Sequence, residues 1–137
     1  MYMNSEGINI NTQFYKKINL TVTSEQAEIT LPIESKFFHA ANSLHGSVYF
    51  KLLDDAAFFA VNSIVSDVFV YTVSFNIQIL RPVTRGTIKS IGKLKFKSSN
   101  LYIADANLYN DQNQLVGCGS GNFMRSKIAL TPEIGYQ

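Results

Sequence analysis

Asp54 and Asp55 stand side by side in an apolar run, "HGSVYFKLLDDAAFFAVNS" (45–63), flanked by Leu52, Leu53, Ala56, Ala57, Phe58 and Phe59. A carboxylate taken out of water must be paired, hydrogen-bonded or shifted in pKa. Two acids in this setting therefore mark either a structural ion pair or a place where chemistry is done. Asp55 can pair with Lys51 one turn back, although Lys-before-Asp is the weaker orientation, and Asp54 is also within reach of Lys51 at three residues. Asp54 has Phe50 one turn back and Ala57, Phe58 and Val61 further along its face, which makes it the better candidate for a carboxylate facing an apolar cleft. Gly46 opens the same run. A helix starting there offers unpaired backbone N–H groups and the positive end of its dipole. Those groups stabilise an oxyanion without any side chain.

The elements that must hold these groups follow from periodicity. From Gly46 to about Val65 the run is too long for one strand and contains no proline, so it predicts a mostly buried helix. Ahead of it, two short β-prone runs at 18–23 and 27–33 flank a turn at Ser24-Glu25-Gln26, and Pro32 belongs near the end of the second. A weak amphipathic lead-in covers 8–17, and 34–44 is a loop. After the helix, Tyr71, Val73, Phe75, Ile77 and Ile79 alternate with Thr72, Ser74, Asn76 and Gln78, the pattern of a half-buried strand. "RPVTRG" (81–86) is a turn. Ile88, Leu94 and Phe96 then lie opposite Lys89, Lys93, Lys95 and Lys97, giving a strand with one basic face. Turns at 98–100 and 110–113 separate it from strands at 101–109 and 114–126. Two short strands, a helix and a meander of four longer strands make an α+β domain, one central helix against one curved antiparallel sheet. Gly117, Gly119 and Gly121 leave one face of the last strand nearly bare. With no helix following to make a phosphate loop, close approach of the helix or another backbone is their expected use.

Composition bounds the function. The chain of 137 residues predicts one domain, with 46% hydrophobic and only 16% charged residues, which points to further surface buried in an oligomer. A net charge of +2 gives no case for nucleic acid, and the lysine stripe lacks the interleaved aromatic residues that RNA binding uses. The single Cys118 rules out an internal disulfide framework, suits a cytoplasmic setting, and is expected to pack rather than react. "MYMNSEGINI" has neither a basic n-region nor an apolar h-region, so no signal peptide is expected. Charges at Lys51, Asp54 and Asp55 interrupt the longest apolar stretch, so no membrane span is expected.

"LHGSVYFKLLDDAAFFA" resembles the "HGG-x4-LaDtA" helix signature of hotdog-fold acyl-CoA thioesterases, in particular the phenylacetate-pathway (PaaI-like) branch. The likeness in element order extends over roughly 15–126. It implies a hotdog fold and hydrolysis of an acyl-CoA thioester. Asp54 takes the catalytic carboxylate position, as general base on water or as nucleophile, and Gly46 the glycine whose N–H meets the thioester oxygen. His45 matches the preceding histidine. Thr72 matches a Ser or Thr that the resemblance assigns to the second subunit, because such active sites lie at a dimer interface. The family often carries Asn six residues before the histidine; His39 stands there and Asn42 three residues before, so either is a candidate for its role. Ser47 replaces the second glycine of the motif.

The resemblance implies a homodimer or a dimer of dimers; no metal is expected, since no His/Cys/Asp cluster has ligand spacing, and no cofactor beyond coenzyme A as part of the substrate. Arg81, Arg85, Lys97, Ser98 and Ser99 are candidates for its phosphates, with most of the lysine stripe read as a solvated face. Phe58, with Tyr49, Phe50 and Phe59, either lines the acyl pocket or packs behind it. His45 has a plainer reading as a helix cap, Thr72 as an ordinary strand residue, and His39 as a loop residue. Two rival functions remain open at this point: a hotdog hydratase or dehydratase, which would set a His beside the Asp, and a non-catalytic acyl-CoA or lipid-binding protein.

Overall fold

The computed structural model describes residues 19–33 and 43–129. His39, Asn42 and the lead-in at 8–17 lie outside them. The elements run β1 (Asn19–Thr23), β2 (Gln26–Pro32), α1 (Gly46–Asn62), β3 (Val68–Ile79), β4 (Thr87–Lys97), β5 (Leu101–Tyr109) and β6 (Leu115–Ala129). All strands join one antiparallel sheet in the order β1-β2-β4-β5-β6-β3. The expected helix against one sheet is present, but the four later strands are not a simple meander. Only β4, β5 and β6 follow one another; β3 lies outside β6 and β4 pairs with β2. The chain thus lays β3 at the far edge and returns to fill the middle of the sheet.

α1 packs against the strands on both sides of the sheet's centre. Leu52, Leu53, Ala56, Ala57 and Val61 are fully buried with Ile29, Ile88, Leu108 and Phe123 in one core. The helix approaches β4 most closely. The buried Ser90 hydroxyl donates to the Leu52 carbonyl at 2.8 Å. Two residues on, Gly92 lies so near the helix that a Cβ would overlap the Ala56 carbonyl. Ser47, Phe50, Lys51, Asp54, Asp55, Phe58 and Asn62 form the one helix stripe that is not fully buried. The two acids occupy an apolar helix because this stripe escapes the core.

Two β-bulges change the faces that alternation predicts. In β3, Thr72 pairs with Phe123 but Ser74 with Asn122, so Val73 is the extra residue. A one-residue insertion reverses every later side chain. Thr72 therefore faces the helix, and beyond the bulge so do Phe75 and Ile77, while Tyr71 and Val73 are about half exposed. In β4, Lys95 is the extra residue, and Phe96, expected beside Leu94, turns outward opposite Ile103.

The bare strip of β6 serves mainly another strand's ring. A Cβ on Gly117 would meet the Tyr49 ring at 3.2 Å, as expected of helix approach. At Gly119 the obstacle is the Phe75 ring at 2.6 Å, and at Gly121 the same ring. The β4 bulge also breaks the expected single basic face, because Lys97 falls opposite the buried Tyr102, on the other face from Lys89 and Lys93. Lys89 pairs with Glu28 (3.8 Å), Lys95 with Asp105 (3.9 Å) and Lys97 with Glu25 (3.1 Å). Exposed pairs of this kind contribute roughly 0–1 kcal/mol each. Among the described residues, no helix is long and apolar enough to cross a membrane.

Candidate active site

Asp54 projects from the middle of α1 toward β3, where the Thr72 hydroxyl donates to its Oδ1 at 3.1 Å. Phe50 and Phe58, one turn before and one turn after it, share its helix face. Burial is the largest influence on Asp54 and, reinforced by the neighbouring Asp55 charge, it raises the pKa from 3.8 to about 6; the Thr72 hydrogen bond and the Lys51 charge oppose it. The two acids are thereby divided. Asp55 is held by Lys51 at 3.0 Å, whereas Asp54 is a half-buried carboxylate ready to take a proton near neutral pH.

Thr72 joins Asp54 within one chain, where the resemblance had assigned it to a second subunit. The Val73 bulge is the reason, because it turns both Thr72 and Phe75 toward the helix. The hydroxyl lowers the Asp54 pKa by favouring its charged form. Thr72→Val is therefore expected to raise the pH at which the Asp54-dependent activity appears, and Thr72→Ser to keep it; a pH–rate profile of each checks this.

Gly46 is the first residue of α1, and His45 is its N-cap, with Nδ1 accepting from the Ser47 N–H at 3.1 Å. This is the capping reading of His45, with Ser47 also 2.9 Å from the ring through its hydroxyl. Leu44 N–H bonds the Val83 carbonyl at 2.8 Å and Tyr49 Oη donates to the Arg81 carbonyl at 2.6 Å, tying the helix start to the loop after β3. An open depression of about 340 Å³ lies there, lined by Gly46, Tyr49, Ile79, Leu80, Arg81 and Pro82 among others.

Gly46 and Asp54 are eight residues apart on one helix, about 12 Å at 1.5 Å per residue. A single carbonyl needs its oxygen about 3 Å from the N–H and its carbon near the base. One chain cannot bring both groups to the same carbonyl.

The other candidates divide between the two ends of the sheet. Arg81 is near the helix start, where its Nε donates to the Leu115 carbonyl at 3.3 Å, and Arg85 lies in the loop just before β4. Lys97, Ser98 and Ser99 sit at the opposite end of β4, whose eleven residues span roughly 33 Å. Within one chain these two groups do not form one nucleotide site. Phe58 packs on Phe59 and Phe123 with centroids 5.5 and 6.4 Å away. Cys118 is half-buried, its thiol 3.5 Å from the Gln78 amide oxygen. The reading of the residues passed over Gly92, and a lone glycine in "SIGKLK" carried no mark to find it by. No three His, Cys, Asp or Glu side chains among the described residues are grouped to hold a metal.

The Thioesterase superfamily profile matches residues 41–116, the stretch that contains Gly46, Asp54 and Thr72. The chain belongs to the thioesterase superfamily. Among solved structures it is similar to the Escherichia coli PaaI protein from the phenylacetic acid degradation operon, at 20% identity and TM-score 0.80, covering 93% of this chain and 94% of that one. It is also similar to a phenylacetic acid degradation-related protein from Ralstonia eutropha JMP134, at 18% identity and TM-score 0.77, covering 85% and 89%. These likenesses show the fold, a hotdog in which the sheet wraps the single helix. No curated protein sequence matches the chain.

Proposed function

We propose that this thioesterase-superfamily protein hydrolyses acyl-CoA thioesters as a two-fold homodimer, with Asp54 as the general base. The observation that carries this reading is the half-buried Asp54, steadied by Thr72 and raised to about 6. Oδ1 accepts from Thr72, and Oδ2 has no hydrogen-bond partner among the described residues, which leaves it to accept a proton from water as that water attacks the thioester carbonyl. The carbonyl oxygen gains negative charge and is met by the backbone N–H at a helix start. The tetrahedral intermediate then collapses with loss of the CoA thiol.

The 12 Å between Gly46 and Asp54 supports a second copy. β3 is the longer of the sheet's two edge strands, with twelve residues, none charged; an edge of this kind invites strand pairing. Its Ile79 end lies beside Gly46, since a Cβ there would be 3.4 Å from Ile79 Cδ1, and its other end carries Thr72 beside Asp54. Antiparallel pairing of β3 with its own copy sets the Ile79 end of one strand along the Thr72 end of the other. That brings the partner subunit's Gly46 toward Asp54 and builds two equivalent sites. Coenzyme A is part of the substrate, and Arg81, on the rim of the depression at the helix start, is the best-placed cation for its phosphates. The PaaI protein's link to phenylacetic acid degradation puts an aryl-acyl CoA in the first substrate panel.

A hydratase reading needs a His beside the acid; His45 is engaged as the helix cap, its Nδ1 accepting from the Ser47 N–H, and His39 lies outside the described residues. Thiol release from acyl-CoAs tests the reading directly; retention of the thioester with a changed acyl chain would sink it. Gly46→Pro tests the oxyanion site. Proline fits the first helical position, His45 already has the extended ψ of 144° that a residue before proline prefers, the added Cβ comes 3.4 Å from Ile79 Cδ1, an ordinary contact, and the N–H is lost. The expected result is a folded dimer with kcat lower by about 10²–10³-fold. Mixing Gly46→Pro with Asp54→Asn chains then restores activity, because a heterodimer holds one intact site; the same mixture with no gain would mean that each site is built from one chain.

A further inference from the structure

Asp54 sits between aromatic rings. The Phe50 and Phe75 centroids are 5.8 Å apart and edge-on at 88°, Phe75 and Phe123 are 6.4 Å apart, and Phe123 and Phe58 are 6.4 Å apart. Phe123 is directly cross-strand from Thr72. The four rings thus form a chain from one side of the carboxylate to the other. Spacings in this range are ring-to-ring contact and leave no passage between the members of a pair. Toward the start of α1 the gap between helix and β3 is closed by Phe50 against Phe75, and on the other side of Asp54 Phe58 packs against Phe123 of β6. Four residues of helix put each wall about 6 Å along the axis from Asp54.

We propose that the Phe50–Phe75 pair sets the upper length of the acyl group, which makes these two rings specificity-determining residues of the site. The proposal rests on the thioesterase reading above. Phe75 cannot retreat, because its ring lies over Gly119 and Gly121 and touches Phe123. The bare strip of β6 is the bed that fixes this wall. Phe50 closes the gap from the helix side yet remains 41% exposed, so its removal opens the wall without opening the core. Phe58–Phe123 offers no such control, since Phe123 is fully buried. An acyl group of a few carbons or a single ring fits between the walls, and a long chain runs into Phe50.

The test measures kcat/KM for thiol release from butyryl-, hexanoyl-, decanoyl- and palmitoyl-CoA by the wild type, Phe50→Ala and Phe75→Leu. The same esters are titrated onto Asp54→Asn, with and without Phe50→Ala, to read binding alone. The wild type is expected to lose at least about tenfold between hexanoyl and decanoyl, and Phe50→Ala to recover most of that loss, read as the decanoyl-to-hexanoyl ratio of kcat/KM within each protein. Phe75→Leu, the milder change, moves the ratio the same way. A wild type indifferent to length, or variants that slow every ester equally, overturns the proposal. Length-dependent binding relieved by Phe50→Ala, with no thiol released, would retain the wall and reject the hydrolase. Neither binding nor release would reject both.

Discussion

Asp54→Asn lowers thioester hydrolysis by about 10²–10⁴-fold and at the same time makes the protein more stable at pH 7. The first effect follows because Asn cannot accept the proton of the attacking water. In the wild type kcat/KM should rise with pH through about 6 and level off above it, since the base works only when ionised. The residual activity of Asp54→Asn should lack that limb. The second effect has the opposite sign because burial disfavours the charge that catalysis needs. The folded pKa is raised above the ordinary 3.8, so the unfolded chain holds fewer protons between those values. The carboxyl's contribution to stability is fully present below about pH 4 and is lost as pH rises through about 6. Asn keeps an oxygen for the Thr72 hydroxyl and carries no charge. Allowing for solvent at this half-exposed site, the gain at pH 7 is on the order of 1–2 kcal/mol. Denaturation at pH 5 and pH 8 checks it, because the gap between the proteins should widen at the higher pH. A variant less stable than the wild type at pH 8 would mean that the ionised carboxylate is better solvated than its burial indicates.

Local patterns were readable wherever local physics decides them. The helix was visible in a long apolar run without proline, and Asp54 in the oddity of an acid among Leu, Ala and Phe. Gly46 was recognisable as a helix start and His45 as its cap. What escaped depended on pairings between distant segments. Val73 is a bulge, but it is apolar and β-branched, so it continues the alternation that it breaks in space. For that reason Thr72 was placed among the outward polar residues by pattern, and across a subunit boundary by resemblance, when it faces Asp54 in its own chain. The order β6-β3 was hidden because β3 is followed directly in sequence by β4. Arg85 and Lys97 are both candidates for the phosphates of one coenzyme A by residue type, yet a strand separates the ends of β4 by its full length. Gly119 and Gly121 were recognised as making room, but the occupant, the Phe75 ring, comes from a strand forty-odd residues earlier.

Gly92→Ala should be the most damaging single methyl in the protein. In most cores an added methyl displaces flexible side chains and costs about 1–3 kcal/mol. At Gly92 the new Cβ meets backbone, the Ala56 carbonyl and the Ala57 nitrogen, midway along α1. Neither can move without the helix, and the helix is held to the same strand two residues away by the Ser90–Leu52 hydrogen bond. The expected loss is on the order of 3 kcal/mol or more, a fall in Tm of about 10 °C for a domain of this size. Ser90→Ala is the calibrating change: it removes one hydrogen bond without adding bulk and should cost about 1 kcal/mol. Lifting α1 off β4 also disturbs the 3.1 Å contact between Asp54 and Thr72, because Asp54 lies only two residues before Ala56. Gly92→Ala protein that still folds at low temperature should therefore show a shifted acid limb as well as a lower Tm. Ser90→Ala should lose stability alone. If Gly92→Ala keeps both the wild-type Tm and the wild-type pH profile, the helix does not rest on β4 as closely as the placement of Ser90 and Gly92 requires.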